Sequence, residues 1–304
     1  MRPPGEPTDR LVAVYALLSG AALAFPNRPD GWLLLALVHA AALVAGLGPE
    51  PVRRAGRAAS RAWPATASFL HDWYPLFLIP LLYSELPLLN RAVHEGIYFD
   101  GVVQGWEQAI FGGQPSRTLA AAMPWKPLSE LLHLSYLSYY LLIFGPALMI
   151  RAAGRRADFR RAVFALMLTF VAHYLFFVWF PVQGPRYLFP APGGSLADGP
   201  FYRLAHAVLE AGSSQGAAFP SSHVGVAVAQ TLVTRRYLGK WWLVAATLTA
   251  GLAAGAVYGG FHYATDVLAG AALGALCCGV AFRNRAAPGR PSGPDEDPPA
   301  EPAG

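Results

Sequence analysis

The sequence predicts an all-α fold in which about eight helices cross a membrane as one bundle. Hydrophobic residues make up 54% of the 304 residues, and the mean hydropathy is positive. Only 13% of the residues are charged, about half the fraction found in soluble proteins. The apolar residues are grouped into runs close to the length that crosses a bilayer, about 20 residues. These observations exclude an ordinary soluble domain and predict one membrane domain over residues 1–282.

Eight apolar segments follow one another along the chain. The first comes after Arg2 and Arg10, but no cleavage site of small residues follows it, so we interpret it as a retained helix. The first and sixth segments are short and need flanking residues to complete a span. The segments are Leu11–Phe25, Trp32–Leu47, Ala65–Leu88, Leu128–Ile150, Val163–Pro181, Ser222–Val233, Trp241–Tyr258 and Tyr263–Phe282.

Basic residues concentrate in alternate loops, and this pattern predicts the orientation of the bundle. Cytoplasmic loops of membrane proteins carry an excess of Lys and Arg. We therefore predict an inner or plasma membrane protein with both termini in the cytoplasm. Topology explains the net charge of +5 better than a nucleic-acid partner does. The basic residues of these loops are Arg53, Arg54, Arg57, Arg61, Arg151, Arg155, Arg156, Arg160, Arg161, Arg235, Arg236, Lys240, Arg283 and Arg285.

Two regions outside the spans have distinct compositions. The predicted outer loop Asn90–Pro127 has an apolar stripe at helical spacing, which predicts a helix lying flat on the bilayer. Residues 283–304 are rich in Pro, Gly and acidic residues, and we predict a disordered cytoplasmic tail there. The stripe consists of Val102, Val103, Trp106, Ile110 and Phe111.

Three residues near the ends of apolar segments are predicted to be catalytic. His262 and Asp266 are four residues apart, so on a helix their side chains share one face. The carboxylate can accept the Nδ1–H of the imidazole, which leaves Nε2 able to attack an electrophile. His223, at the start of another segment, can protonate a departing oxygen. This set favours phosphoryl transfer through a phosphohistidine at His262.

Phosphate-binding residues are predicted on two neighbouring segments. The planar guanidinium of Arg186 can hold two phosphate oxygens. Ser221 and Ser222 follow Pro220 at a helix start, where free N–H groups favour an anion. The predicted topology places all these residues at the exoplasmic face of the membrane. No Asp or His cluster suggests a metal ion, and no cofactor is expected.

These motifs resemble the signature of the type 2 phosphatidic acid phosphatase superfamily. Its Pro-Ser-Gly-His element corresponds here to Pro220-Ser221-Ser222-His223, and its final His and Asp correspond to His262 and Asp266. The resemblance covers about residues 163–282, the predicted catalytic core in the last four spans. The family's Lys is replaced by Trp179, and the Pro after its Arg is replaced by Tyr187. Its Ser-Arg pair is replaced by Gly255 and Ala256.

These departures resemble the inositol phosphorylceramide synthase branch, which is inositolphosphotransferase-like. That resemblance implies an integral membrane enzyme that moves a phosphoryl group or phospho-headgroup from a phospholipid, with an alcohol acceptor favoured over water. Membrane lipids would be its substrates and acceptors, and its oligomeric state is open. Alternatives are a plain lipid-phosphate or polyprenyl-diphosphate phosphatase, or a non-catalytic lipid-phosphate binder or transporter. Candidate residues of the substrate cavity are Tyr136, Tyr139 and Lys126.

For some of these residues a structural role is the alternative to the functional one. Arg186 would serve as an interfacial anchor that extends to the membrane surface, and Ser221 as a helix cap. Lys126 and Arg203 are outer cations able to replace a missing phosphate ligand. The polar groups of the third segment either line the cavity or pair inside the bundle. Those groups are His71, Asp72 and Glu85.

Overall fold

Each of the eight predicted apolar segments coincides with helix in the computed structural model, which describes residues 7–283. No β-strand occurs within that range, where the β contacts amount to one isolated bridge between Val182 and Ala217. The all-α class is therefore confirmed for the described residues. The predicted tail from residue 284 onward lies outside them.

Fourteen α-helices and two short 3₁₀ turns are described. The first 3₁₀ turn follows α1 and the second precedes α11. The helices are α1 (Pro7–Gly20), α2 (Trp32–Leu47), α3 (Glu50–Ala62), α4 (Pro64–His94), α5 (Asp100–Phe111), α6 (Pro115–Ala122), α7 (Lys126–Leu137), α8 (Tyr139–Ala152), α9 (Arg156–Trp179), α10 (Pro185–Leu188), α11 (Pro200–Gly212), α12 (Ser222–Tyr237), α13 (Trp241–Tyr258) and α14 (Ala264–Phe282).

Four of these helices are long and apolar enough to cross a membrane: α4, α9, α13 and α14. A fifth span results if α7 and α8, which meet at a 42° bend, are counted as one. The other predicted spans form shorter helices of 14 residues (α1) and 16 residues (α2 and α12). At 1.5 Å per residue such helices fall short of the roughly 30 Å hydrocarbon core. The structure thus supports four to five spans rather than eight.

Helix α9 lies at the centre of the bundle and packs against α1, α4, α8, α12 and α14. Helices α12 and α14 approach each other closely because glycines face their contact. A Cβ atom on Gly274 would lie 2.0 Å from the carbonyl oxygen of Gly225, and one on Gly270 would lie 2.3 Å from that of Ser221. Small residues permit this approach of two backbones. The contact brings the start of α12 beside the start of α14.

Two of the three polar groups predicted in α4, Asp72 and Glu85, pair inside the bundle, whereas Nδ1 of the third, His71, is buried without a partner among residues 7–283. Asp72 accepts hydrogen bonds from the Nε atoms of Arg156 and Arg160, both at 2.6 Å. Glu85 accepts a hydrogen bond from the hydroxyl of Tyr15 at 2.5 Å, and His39 lies 3.6 Å from it. Buried carboxylates require such partners. Of the two alternatives for Asp72 and Glu85, pairing within the bundle is the one observed.

Helix α5 forms where the outer loop was predicted to be helical, and it is amphipathic. Val102, Trp106 and Ile110 are exposed as predicted. Val103 is instead fully buried, on the same face as Asp100 and Glu107. Spacings of three and four residues place these three side chains together, away from the exposed stripe. The exposed face matches an interfacial helix, and its contact with a membrane stays a prediction.

Candidate active site

The imidazole of His262 is held from its Nδ1 side. Nδ1 lies 3.1 Å from the carbonyl oxygen of Ala218 and 3.4 Å from Oδ2 of Asp266. Both partners are hydrogen-bond acceptors, so the arrangement favours a proton on Nδ1. The lone pair of Nε2 is then available for attack on an electrophile. His262 is almost fully buried and lines a cavity.

Asp266 is completely buried at the first turn of α14. Its Oδ2 accepts the backbone N–H of Tyr263 at 2.8 Å, while its carbonyl oxygen accepts the N–H of Ser221 at 3.0 Å. The second contact joins the start of α12 to the start of α14. Asp266 therefore orients His262 with its side chain and positions the Ser221 segment with its backbone.

His223 faces His262 across the cavity. Its ring centroid lies 5.7 Å from that of His262. The rings of Tyr136 and Tyr139 pack on His223 at centroid distances of 5.2 and 4.2 Å. Ser221 caps α12, because its hydroxyl accepts the N–H of Val224 at 3.4 Å. The two histidines thus line the same cavity with their rings close together.

Arg186 reaches this space from a tight turn after α9. The turn depends on Gly184, which has a φ of +90°, and a Cβ atom there would lie 3.0 Å from that of Ala218. Only glycine adopts this backbone without strain in so little space. Nη1 of Arg186 is buried and has no hydrogen-bond partner among residues 7–283. A buried guanidinium nitrogen without a partner is available to an anionic ligand.

The cavity lined by both histidines has a volume of about 350 Å³. We call it the catalytic cavity. Tyr136 and Tyr139, the tyrosines proposed from the sequence, both line it, as do Arg186 and Ser222. Most of the remaining wall is aliphatic or aromatic, which suits the apolar part of a lipid. Further tyrosines in the wall are Tyr83, Tyr140, Tyr174 and Tyr187.

Two of the predicted cations lie away from this cavity. Lys126 is exposed at the start of α7 and does not line the cavity. Arg203 is exposed and pairs with Asp198 at 3.7 Å. Among residues 7–283, no group of three His, Cys, Asp or Glu side chains has an arrangement that would hold a metal ion. Arg186 is thus the cation that the described structure places on the catalytic cavity.

Ala256 and Trp179 stand at the two positions where the family has a cation and this chain has none. Ala256 is fully buried, and a Cβ atom on Gly255 would lie 2.4 Å from the carbonyl oxygen of Leu132 in α7. Helix α13 therefore packs directly on α7 at Gly255, and the next residue, Ala256, is buried. Trp179 is 38% exposed and packs edge-on against Phe25, with ring centroids 6.1 Å apart.

Two buried carboxylates of α5 support the site and were not identified from the sequence. Asp100 accepts the N–H groups of Gln183 and Gly184, both at 2.9 Å, and the hydroxyl of Tyr263 at 3.1 Å. It therefore connects the Arg186 turn to the His262 segment. The seven-residue spacing of Asp100 and Glu107, which puts both on one helix face, was the available signal.

Glu107 holds the first residue of α14. Its Oε1 accepts the N–H of Ala264 at 2.8 Å, and its Oε2 accepts the hydroxyl of Ser116 at 3.2 Å. Burial raises the pKa of Glu107, while these two hydrogen bonds oppose that shift. Burial also raises the pKa of the Tyr263 phenol, so the hydroxyl stays protonated and donates to Asp100.

A family model matches the region that contains this site. The family is described as the PAP2 superfamily, and the match covers residues 105–280, more than half of the chain. No curated protein and no solved structure shows significant similarity to the chain. The match begins within α5 and ends within α14, so it includes Arg186, Ser221, His223, His262 and Asp266.

Proposed function

This chain belongs to the PAP2 superfamily, and from that premise we propose that it is a membrane lipid phosphatase/phosphotransferase that works through a phosphohistidine at His262. Membership indicates a lipid-phosphatase-type function. The observation that carries the proposal is the arrangement of His262. Its Nδ1 faces two acceptors, and its ring lies 5.7 Å from that of His223 across a lipid-compatible cavity.

The first chemical step forms the phosphoenzyme. Nε2 of His262 attacks phosphorus, a nitrogen–phosphorus bond forms, and the bond from phosphorus to the leaving oxygen breaks. His223 donates its proton to the departing oxygen, which leaves as an alcohol. Asp266 stabilises the positive charge that develops on the His262 ring. Arg186 and the N–H groups at the start of α12 hold the non-bridging oxygens.

The second step transfers the group to an acceptor. An alcohol or water enters the space that the leaving group vacated, and neutral His223 removes its proton. The new oxygen–phosphorus bond forms while the nitrogen–phosphorus bond breaks, and His262 is regenerated. Hydrolysis and transfer therefore differ only in the molecule that attacks the intermediate.

A phosphodiester donor and an alcohol acceptor fit this site better than a phosphomonoester and water. A monoester carries up to two negative charges, and Arg186 is the cation on the catalytic cavity among the described residues. Each missing charge-assisted contact weakens anion binding by about 1.5–3 kcal/mol, or roughly ten- to a hundredfold. Ala256 is fully buried and Trp179 packs against Phe25, so neither position supplies a cation to the cavity. A diester has only one charge to neutralise.

We further propose that the site faces the exoplasmic side of an inner or plasma membrane. Arg186, Ser221 and His262 lie at or near one end of α9, α12 and α14. Basic residues occupy the other ends of α9 and α12, where Arg156, Arg235 and Arg236 lie. Such clusters mark the cytoplasmic side, and both termini would then be cytoplasmic.

The proposal is tested by trapping the phosphoenzyme. Purified protein is quenched during turnover of phospholipids labelled at phosphorus. We expect an acid-labile, base-stable phosphoprotein in the wild type, none in His262→Ala, and an unchanged amount in His71→Ala. His71 serves as the matched control because it lies in α4, outside the catalytic cavity. Full turnover by His262→Ala would overturn the mechanism.

The same preparation distinguishes the two outcomes of the second step. We measure kcat/KM for phosphatidic acid and for phosphodiester donors, with and without diacylglycerol or ceramide-like acceptors. The proposal expects weak activity on phosphatidic acid and a transfer product from a phosphodiester donor. Efficient hydrolysis of phosphatidic acid, with no transfer product from any donor, would identify a plain phosphatase.

A further inference from the structure

Helix α5 presents three different sides along its 12 residues. One side carries the two carboxylates that hold the catalytic segments, and it is buried. A second side, formed by Val102, Trp106 and Ile110, is apolar and exposed, and Ile110 is 60% exposed. We call it the apolar face of α5. Gln108 is polar and exposed, and its offset of two positions from Ile110 places the two side chains on nearly opposite sides of the helix.

The apolar face continues into a surface that lipid covers. The ring of Trp106 lies 5.5 Å from that of Phe219, which in turn lies 6.3 Å from the ring of Phe176. Phe176 is exposed on α9, a helix long and apolar enough to cross a membrane, so its side chain faces lipid. Helix α5 itself is about 18 Å long and cannot cross the roughly 30 Å hydrocarbon core. Lipid can therefore meet the apolar face only at the surface of the bilayer.

The composition of α5 fits a lipid surface without net charge. The helix contains no Lys or Arg, and both of its acids, Asp100 and Glu107, are buried. The apolar face therefore offers hydrophobic contact alone, whereas helices that bind anionic headgroups carry basic residues beside their apolar face. Tryptophan is also enriched at the boundary between lipid and water, which suits Trp106. A zwitterionic bilayer is the partner that this composition favours.

The buried side of α5 is attached to the segments that carry the catalytic residues. Asp100 accepts two backbone N–H groups of the Arg186 turn, and Glu107 accepts that of the first residue of α14. The ring of Trp106 stacks on that of Phe180, which follows α9, with centroids 6.0 Å apart. The other ring contact of Trp106 is with the segment that leads into α12. A shift of α5 would therefore move all three segments.

We propose that the apolar face of α5 docks on the surface of the bilayer, and that this contact holds the Arg186 turn and the start of α14 in their active arrangement. The inference goes beyond the proposed function, on which it rests only for the identity of the residues that must be held. The bilayer then acts as a positioning partner of the site, in addition to being the source of its substrate.

Docking is tested with a fluorescent probe on each side of the helix. Ile110→Cys and Gln108→Cys are made in a background that carries Cys277→Ala and Cys278→Ala, labelled with an environment-sensitive NBD group and reconstituted in phosphatidylcholine vesicles. We expect doxyl-labelled lipid to quench the probe at position 110 and to leave the probe at position 108 almost unchanged. Raised salt or added anionic lipid should not alter this quenching, because the apolar face has no charge.

Coupling to the site is tested by placing a charge on the apolar face. Ile110→Glu should weaken docking, whereas the matched control Gln108→Glu adds the same charge on the opposite side. In Ile110→Glu we expect amide hydrogen exchange around Gly184 and Ala264 to be about tenfold faster, as weakening of one hydrogen bond would give. The kcat/KM for a short-chain phospholipid dissolved as monomers, which needs no delivery through the bilayer, should fall about tenfold as well. Gln108→Glu should leave both quantities unchanged.

Each measurement is able to contradict the inference. A probe at position 110 that doxyl lipid does not quench would overturn docking. Shielding of that probe only at high protein concentration would also overturn it, since a second copy of the chain would then cover the face. Unchanged hydrogen exchange and kcat/KM in Ile110→Glu would overturn the coupling.

Two further results separate the inference from folding and from the proposed function. Because both substituted side chains are exposed, the thermal midpoints of Ile110→Glu and Gln108→Glu in detergent should equal that of the wild type. A fall in Ile110→Glu alone would assign its lower turnover to unfolding and contradict the coupling. Absence of turnover and of phosphoenzyme in the wild type would overturn the proposed function, while the probe and the hydrogen exchange would still decide the role of α5.

Discussion

Buried carboxylates at the two ends of α9 have different partners. Near its first turn, Asp72 is bound by the guanidinium groups of Arg156 and Arg160. Beyond its last turn, Asp100 is bound by two backbone N–H groups and by the hydroxyl of Tyr263. The first set neutralises a charge and holds α4 against α9. The second set fixes the geometry of two chain segments without placing another cation beside the site.

Burial of an acid does not by itself distinguish a structural role from a role in positioning functional groups. Charged donors on neighbouring helices indicate a structural ion pair, which helps to hold the bundle together. Neutral backbone donors on segments that contain Arg186 and His262 indicate that the acid positions functional groups. Substitutions at the two ends should therefore affect different measurements, activity at Asp100 and stability at Asp72.

The largest effect is expected at Asp100. In Asp100→Asn the amide NH₂ would face the N–H of Gln183, so two donors would meet and the Arg186 turn would shift. We expect kcat/KM to fall about ten- to a hundredfold, corresponding to roughly 1–3 kcal/mol for one unsatisfied buried group. Tyr263→Phe removes only one of the three contacts and should have a smaller effect.

The control for Asp100 is Asp198→Asn, which changes an exposed acid on the pair with Arg203. Activity is expressed per folded molecule, with folding followed by the thermal midpoint in detergent. A fall in activity matched by an equal fall in the folded fraction would assign Asp100 a purely structural role.

A smaller effect, and on stability only, is expected at Asp72. Asp72→Asn removes the charge between Arg156 and Arg160, whose side chains are 42% and 22% exposed. Because solvent screens these partners, we expect a loss of about 1–2 kcal/mol, below the range for fully buried pairs. The thermal midpoint should fall by several degrees, while kcat and KM of the folded enzyme stay unchanged. A change in kcat would contradict the distinction between the two ends.

The smallest effect is a pH dependence from Glu107. Its pKa is raised in the folded protein, so this state binds a proton that the unfolded chain has already released. The resulting stabilisation is fully present below the unfolded pKa, near 4.3, and is lost as pH rises through the folded pKa. Glu107→Gln keeps an acceptor for the N–H of Ala264 and should remove this dependence. Thermal midpoints of the two proteins across pH should converge at the acidic end and differ by a few degrees or less above it. Parallel curves would exclude Glu107 as the titrating group.

Much of the site was predictable because its motifs are local. The four-residue spacing of His262 and Asp266 predicts a shared helix face. His262 instead lies two residues before α14, yet the structure places the two side chains 3.4 Å apart because Asp266 is in the first turn of that helix. The alternation of basic and non-basic loops predicted that Arg186, Ser222 and His223 lie on the same side of the membrane. The structure places all three on one cavity. The same reasoning wrongly placed Lys126 on the cavity. Loop charge predicts the side of the membrane on which a residue lies, but not whether its side chain points toward the cavity.

The sequence by itself determined the helical class, the membrane character and the residues able to perform phosphoryl transfer, because hydrophobic periodicity and short motifs depend on neighbouring positions. Only the tertiary structure decided how Asp100 and Glu107 join α5 to the site, since those contacts span 83 to 163 positions of sequence. It also decided that Asp72 and Glu85 pair inside the bundle, and that Arg186 lines the catalytic cavity whereas Lys126 does not. Contacts of this kind depend on the packing of helices against one another, which no local pattern specifies.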